Sequence, residues 1–115
     1  MRIYLAGPMR GYPQFNFPAF FQAEKELRYQ GHEVFNPARR DVDKYGKHIA
    51  DSPTGDLKDT EGTGFNLREA LAADLSWICL TADTVALLPG WEKSKGACAE
   101  YAVALALGLK IIYLT

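Results

Sequence analysis

The segment from Thr84 to Thr115, TVALLPGWEKSKGACAEYAVALALGLKIIYLT, constrains the fold more than any other part of the chain. It opens on an unbroken apolar run, TVALL, which Pro89 and Gly90 stop. It closes on a second run, Ile111 to Leu114. Between them lie a polar loop and an apolar, small-residue stretch from Ala97 to Leu107 that Gly108 ends. Two short apolar strands joined by a helix read as a βαβ unit. Its strands run parallel and are covered on both faces.

The same alternation continues upstream. Arg2 to Ala6 is a β-type run that stops at Gly7-Pro8. From Ala19 to Gln30, with Pro18 at the start, helical spacing puts Phe20, Ala23 and Leu27, with Phe21, on one face. Gly31 closes that helix, and Glu33 to Phe35 is a second strand ended by Asn36-Pro37. Phe65 to Leu80 returns to helical spacing. The expected architecture is α/β: a three-layer, mainly parallel, flavodoxin- or Rossmann-like sheet of four or five strands with helices on both faces. Residues 1–115 form one domain. Ligands of such sheets bind off the carboxyl ends of the strands, here Gly7–Gly11, Asn36–Arg40 and Pro89–Gly96. Ala38 to Gly64 is polar and lacks periodicity. It reads as a lid or a mobile insertion in which a fifth strand could hide. His32 and His48 read as solvated or structural, and Arg39 and Arg40 lie within reach of an anion without an assigned role.

Charge and composition narrow the functional classes. The net charge is −1, with no long run of one sign, which argues against a nucleic-acid polymer or an electrostatic membrane tether as partner. No stretch is long and apolar enough to span a bilayer. The start of the chain lacks a signal-peptide layout, so a cytoplasmic protein is expected. Cys79 and Cys98 have no CxxC spacing and read as reduced core thiols. No metal site and no GxGxxG fingerprint are present, so no cofactor is expected.

Between Ala97 and Leu109 the only charged residue is Glu100. Burying a carboxylate is costly unless it is paired. One reading is a helix-edge carboxylate paired with Lys93 or Lys110. The other is a functional group whose carboxylate form is favoured by the helix N-terminus. Ser94-Lys95-Gly96 stands at that N-terminus, where N–H groups suit a phosphate; the alternative is that Ser94 is simply an N-cap. A held carboxylate beside a sugar can attack the anomeric carbon, and a second carboxyl group can help the base depart. Asp74 is the candidate for the second group, against a reading as a surface carboxylate. Gly7 and Gly11 allow close backbone approach to a ligand, and Arg10 offers a planar fork to an anion.

Three blocks in order, IYLAGPMRG, ADLSWI and SKGACAEYAVALALGLKII, resemble the nucleoside 2-deoxyribosyltransferase-like superfamily. Among branches with known function the 2'-deoxynucleoside 5'-phosphate N-hydrolases are nearest. The GPMRG and LPGWExSxGA signatures resemble its small phage and bacterial domains of unassigned function more closely still. The resemblance covers both ends and everything from Phe65 onward, but not Ala38 to Gly64. It implies Glu100 as nucleophile, Asp74 as the sugar- and base-side aspartate, Tyr4 as the first-strand catalytic tyrosine and Ser94, with Gly96, as the phosphate contact. Gly7, Met9, Arg10 and Gly11 would line the same pocket. The hydrolases usually carry a serine-type residue where this chain has Pro8. The implied activity is hydrolysis or transfer at the N-glycosidic bond of a 2'-deoxynucleoside 5'-monophosphate or close analogue, in a homodimer or higher homo-oligomer. The alternatives are a non-catalytic nucleotide-binding module on the same fold and a structural or interaction protein.

Overall fold

A computed structural model describes residues 1–115 and contains four strands and four α-helices. β1 (Arg2–Ala6) lies inside the sheet, flanked by β2 (Glu33–Phe35) and β3 (Thr84–Leu87), and β4 (Lys110–Tyr113) pairs with the outer side of β3. The order is β2-β1-β3-β4, and every pair is parallel. The expected α/β class is therefore observed with four strands. No fifth strand forms from the polar segment.

Period-two alternation sorts the strand residues between two cores. Ile3, Leu5 and Ala86 face α1 (Phe17–Tyr29), where Phe17, Phe20, Ala23 and Leu27 are buried. Tyr4, Ala6, Val85 and Leu87 face the other layer, formed by α3 (Leu67–Leu80) and α4 (Lys95–Ala106), and pack with Ile78, Ala97 and Ala104. The chain leaves β1 on one face to reach β2 and crosses to the opposite face to reach β3. The strand order thus reverses between β1 and β3, the place where a crevice opens at the carboxyl edge of such sheets.

Element limits fall close to the expected ones. α1 starts at Phe17 rather than Ala19, and α4 starts two residues early because Ser94 caps it. Ala38 to Gly64 departs from expectation. Its first part is α2 (Pro37–Tyr45), followed by 3-10 turns at Lys47–Ala50 and Leu57–Thr60. Asn36 caps α2 by accepting from the Ala38 amide, with Pro37 at the first helical position. Asn36-Pro37 is a helix start as well as a strand stop. The buried face of α2 carries only Pro37, Ala38 and Asp41, too few apolar residues to produce a visible period.

Two ties hold this segment down. Buried Glu24 of α1 accepts from Arg28, Asn36 and Arg39, joining α1 to the start of α2. The turn at Ser52–Gly55 accepts from the amides of Gln14 and Gly11. Gly55 has φ +74, and a Cβ there would lie 2.4 Å from the Tyr12 carbonyl oxygen, so this contact requires glycine. The cysteines correct another expectation. Both are free, but Cys79 is exposed and Cys98 only half-buried, so neither is a core thiol. His48 is exposed, and His32 lies beside the N-terminal amine. No helix is long and apolar enough to cross a membrane.

Candidate active site

A cleft opens over the reversal point between β1 and β3. Its walls come from the β1 end and first loop (Tyr4, Gly7, Met9, Arg10), from α2 (Arg40, Asp41), from α3 (Asp74) and from the start of α4 (Ser94, Gly96, Glu100). Phe15, Phe17, Ile49, Leu57 and Phe65 add an apolar lining. All but one of the residues named from the sequence thus reach one cavity. Gly11 is the exception. It lies outside the lining, is exposed with φ +85, and its amide donates to the Gly55 carbonyl. It holds the loop and has no free N–H for a ligand.

Tyr4 sits mid-strand on the face turned to α3 and α4. It is fully buried and stacks on Phe35, its neighbour across β2, at 5.4 Å between ring centroids. Its hydroxyl donates to Glu100 Oε2 at 2.6 Å. Burial, then the Glu100 charge, hold the phenol well above its ordinary pKa, so it remains a donor. Neither Lys93 nor Lys110 pairs with Glu100.

Asp74 is buried too, at 7% exposure, which excludes the surface reading. Its Oδ1 accepts a very short bond from Arg40 Nη1, which also donates to the Ala70 carbonyl. The rest of the Arg40 fork binds Asp41, with Nε at 3.2 Å and Nη2 at 3.0 Å from Oδ1. The guanidinium also lies over the Phe35 ring, 5.7 Å from its centroid. One cation therefore serves three buried carboxyl groups, those of Asp41, Asp74 and Glu100.

That imbalance decides the protonation. Burial, followed by the Asp74 charge, pushes Glu100 up to about 8, and the Tyr4 hydrogen bond opposes this only in part. Burial also raises Asp74, with Arg40 opposing it. Burial raises Asp41 to about 6 against the pull of Arg40. The expectation that the helix N-terminus keeps Glu100 ionised is thus corrected. Desolvation and a like charge outweigh the helix field, which is worth up to about 2 kcal/mol in favourable geometry. Both members of the Asp74–Glu100 pair are thus displaced toward the protonated form, Glu100 to about 8.

Beside this pair lies the N-terminus of α4. Ser94 Oγ accepts from the Ala97 amide at 3.2 Å, so Ser94 is the N-cap, and its hydroxyl proton remains available to a ligand. The amides of Lys95 and Gly96 have no acceptor in the protein. Gly96 has no positive φ, and a Cβ there would meet nothing within 4 Å. Neither backbone nor packing demands glycine here, although glycine costs about 1 kcal/mol relative to alanine in a helix. What it preserves is open space in the cleft.

The chain belongs to the DUF4406 family. Residues 1–113 match the family's model, which is described as a domain of unknown function. No curated protein and no solved structure matches the chain.

Arg40 and Asp41 are the site residues that sequence reading did not assign. Helical phase was the missed signal: capping by Asn36 makes Pro37 the first residue of α2, so Arg40 and Asp41 fall in its first turns, just past the end of β2.

Proposed function

We propose that this protein breaks, or exchanges across, the N-glycosidic bond of a 2'-deoxynucleoside 5'-monophosphate or a close analogue. The observation that carries the reading is the buried Tyr4–Glu100–Asp74–Arg40 chain beside the open N-terminus of α4. Glu100 attacks C1' while Asp74 faces the departing base. The proton held by the pair passes through Asp74 to the base nitrogen as the C1'–N bond breaks. Glu100 is left as the carboxylate bonded to the sugar. Asp74, now ionised, takes a proton from water, which displaces Glu100 and regenerates the starting state; an incoming base in place of water gives transfer. Tyr4 orients Glu100 and steadies its charge when it leaves. The Ser94 hydroxyl and the amides of Lys95 and Gly96 receive the 5'-phosphate at the helix N-terminus. Arg10 stands at the rim.

The reading is tested by incubating the protein with deoxy- and ribonucleoside 5'-monophosphates, with and without an acceptor base, and separating free base by chromatography. Base release from at least one deoxynucleotide is expected; none across the panel contradicts it. Because the reaction uses the shared proton, kcat/KM is expected to fall as pH rises through about 8. A rate that instead climbs through that pH would remove Asp74 as proton donor. Gly96→Ala should leave the fold intact, with stability unchanged or raised by up to about 1 kcal/mol. It should weaken nucleotide binding tenfold or more by filling the phosphate space. An affinity equal to wild type would separate Gly96 from the site.

The partner in solution is proposed to be a second copy. The outer faces of α3 and α4 expose Ala72, Ala73, Cys79, Leu80, Ala102, Leu105 and Ala106, while the only charges from Ala70 to Leu80 and from Gly96 to Leu109 are the buried Asp74 and Glu100. A charge-free face is complementary to itself across a two-fold axis. Sedimentation should give a dimer that Leu105→Glu splits. A wild-type monomer at working concentration contradicts it.

A further inference from the structure

Asp41 takes no part in the chemistry above, yet it is only 4% exposed and faces the cleft. Both bonds from Arg40 end on one oxygen, Oδ1. Oδ2 has no partner in the protein; since no fully enclosed side-chain polar atom is unpaired, it keeps some exposure, and Asp41 lines the cleft. Service as a counter-ion alone looks different in this molecule. Glu24, the buried carboxylate that ties α1 to α2, has both oxygens bonded. A buried carboxylate oxygen left open to a cleft is costly to desolvate and suited to a donor brought by a ligand.

Its position defines that donor. Arg40 bridges Asp74 and Asp41, so the two carboxyl groups stand one guanidinium apart along the same wall. In the reaction proposed above, on which this inference rests, Asp74 faces the glycosidic nitrogen. A flat heterocycle extending from there alongside the guanidinium brings its far edge to Asp41. The apolar lining from Ile49 and Phe65 suits the faces of such a ring.

We infer that Asp41 reads the base: Oδ2 accepts a hydrogen bond from an exocyclic amino group on the edge remote from the sugar. An ionised carboxylate can only accept, so it pairs with an amino group and repels an oxo group at the same place. Sites built around a hydrogen bond of this kind reject the mismatched analogue strongly, because the buried partner is left unpaired.

The test compares wild type with Asp41→Asn on two amino/oxo pairs, dCMP with dUMP and dAMP with dIMP, and on the matching nucleosides. The wild type is expected to favour the amino member of at least one pair by about tenfold or more in kcat/KM. Asp41→Asn should reduce that ratio by about tenfold while leaving the preference for nucleotide over nucleoside unchanged. With wild type alone, dimethylation of the amino group of the favoured nucleotide should cost a similar factor. A uniform fall across all substrates in Asp41→Asn, unchanged ratios, or tolerance of the dimethylated base assigns Asp41 to holding Arg40 and overturns the inference. Base release with unaltered ranking defeats this inference alone. No release from any nucleotide defeats the N-glycosidic reading and this one with it.

Discussion

Glu100→Gln is expected to abolish base release, by about 10³-fold or more, while nucleotide binding persists and the protein becomes more stable. The three outcomes share one cause. Glutamine has the shape of protonated glutamic acid, the form that the rise of Glu100 to about 8 favours. Its carbonyl can accept from Tyr4, and its amide can donate to Asp74, as the shared proton does. What it cannot do is become a carboxylate and bond to C1'. The stability gain follows from linkage. Folding moves Glu100 from an ordinary 4.5 up to about 8. Between these values the folded chain holds a proton that the unfolded chain has released, so wild-type stability falls as pH rises through that window and levels off above it. Glutamine removes this slope. The variant should gain on the order of 2–3 kcal/mol at pH 7, where much of the window has been crossed. It should gain almost nothing at pH 4. Urea titrations at the two pH values measure this. A variant less stable than wild type at pH 8 would show that Glu100 is not the strained group in the site. A wild type that binds nucleotides as tightly as the variant and turns none over is the outcome expected of a binding module.

The largest loss of stability is expected from Arg40→Met. Arg40 is the only cation bonded to Asp41 and Asp74, and its removal leaves two buried carboxyl groups without a counter-charge. Breaking a buried pair in this way costs about 3–5 kcal/mol. That is a large share of the total for a domain whose stability falls within about 5–15 kcal/mol. The orphaned carboxyl groups escape part of the cost by staying protonated. Their pKa values rise further in the variant, so its deficit should be smallest near pH 5 and widen toward pH 8. Arg40→Lys restores the charge but not the fork, and should recover only part of the loss. Denaturation of the three proteins at both pH values provides the comparison. A deficit below about 1 kcal/mol, or one that does not grow with pH, would mean that Arg40 is a surface residue in practice.

Which parts of this architecture were legible in the sequence follows from how burial writes itself into residue type. β1 and β3 are apolar runs that glycine or proline ends, β4 is an apolar run set off by Gly108, and their alternation with helices implies a parallel sheet without fixing the strand order. Glu100 was conspicuous because it is the one charge on an apolar helix. Asp74 was less so: Asn66, Arg68 and Ser76 nearby made a polar face equally natural. α2 was not legible by period, because much of what it buries is polar. Asp41 and the stem of Arg40 occupy positions where an ordinary amphipathic helix would carry leucine or valine. Residues that disobey the hydrophobic pattern in order to serve a site are hidden by that disobedience. The protonation of Glu100 was illegible for a different reason. It depends on Asp74 and Arg40 lying beside it, a contact between elements far apart in the chain that no local pattern encodes.

The most direct measurement is rapid-quench mass spectrometry of the wild-type protein mixed with each deoxynucleoside 5'-monophosphate of the panel, or with its 2'-fluoro analogue to slow the second step. The predicted result is a deoxyribosyl 5-phosphate adduct on the peptide that carries Glu100, formed as base is released and absent from Glu100→Gln. Base release with no adduct on that peptide at any quench time, or no release from any nucleotide, would contradict the account.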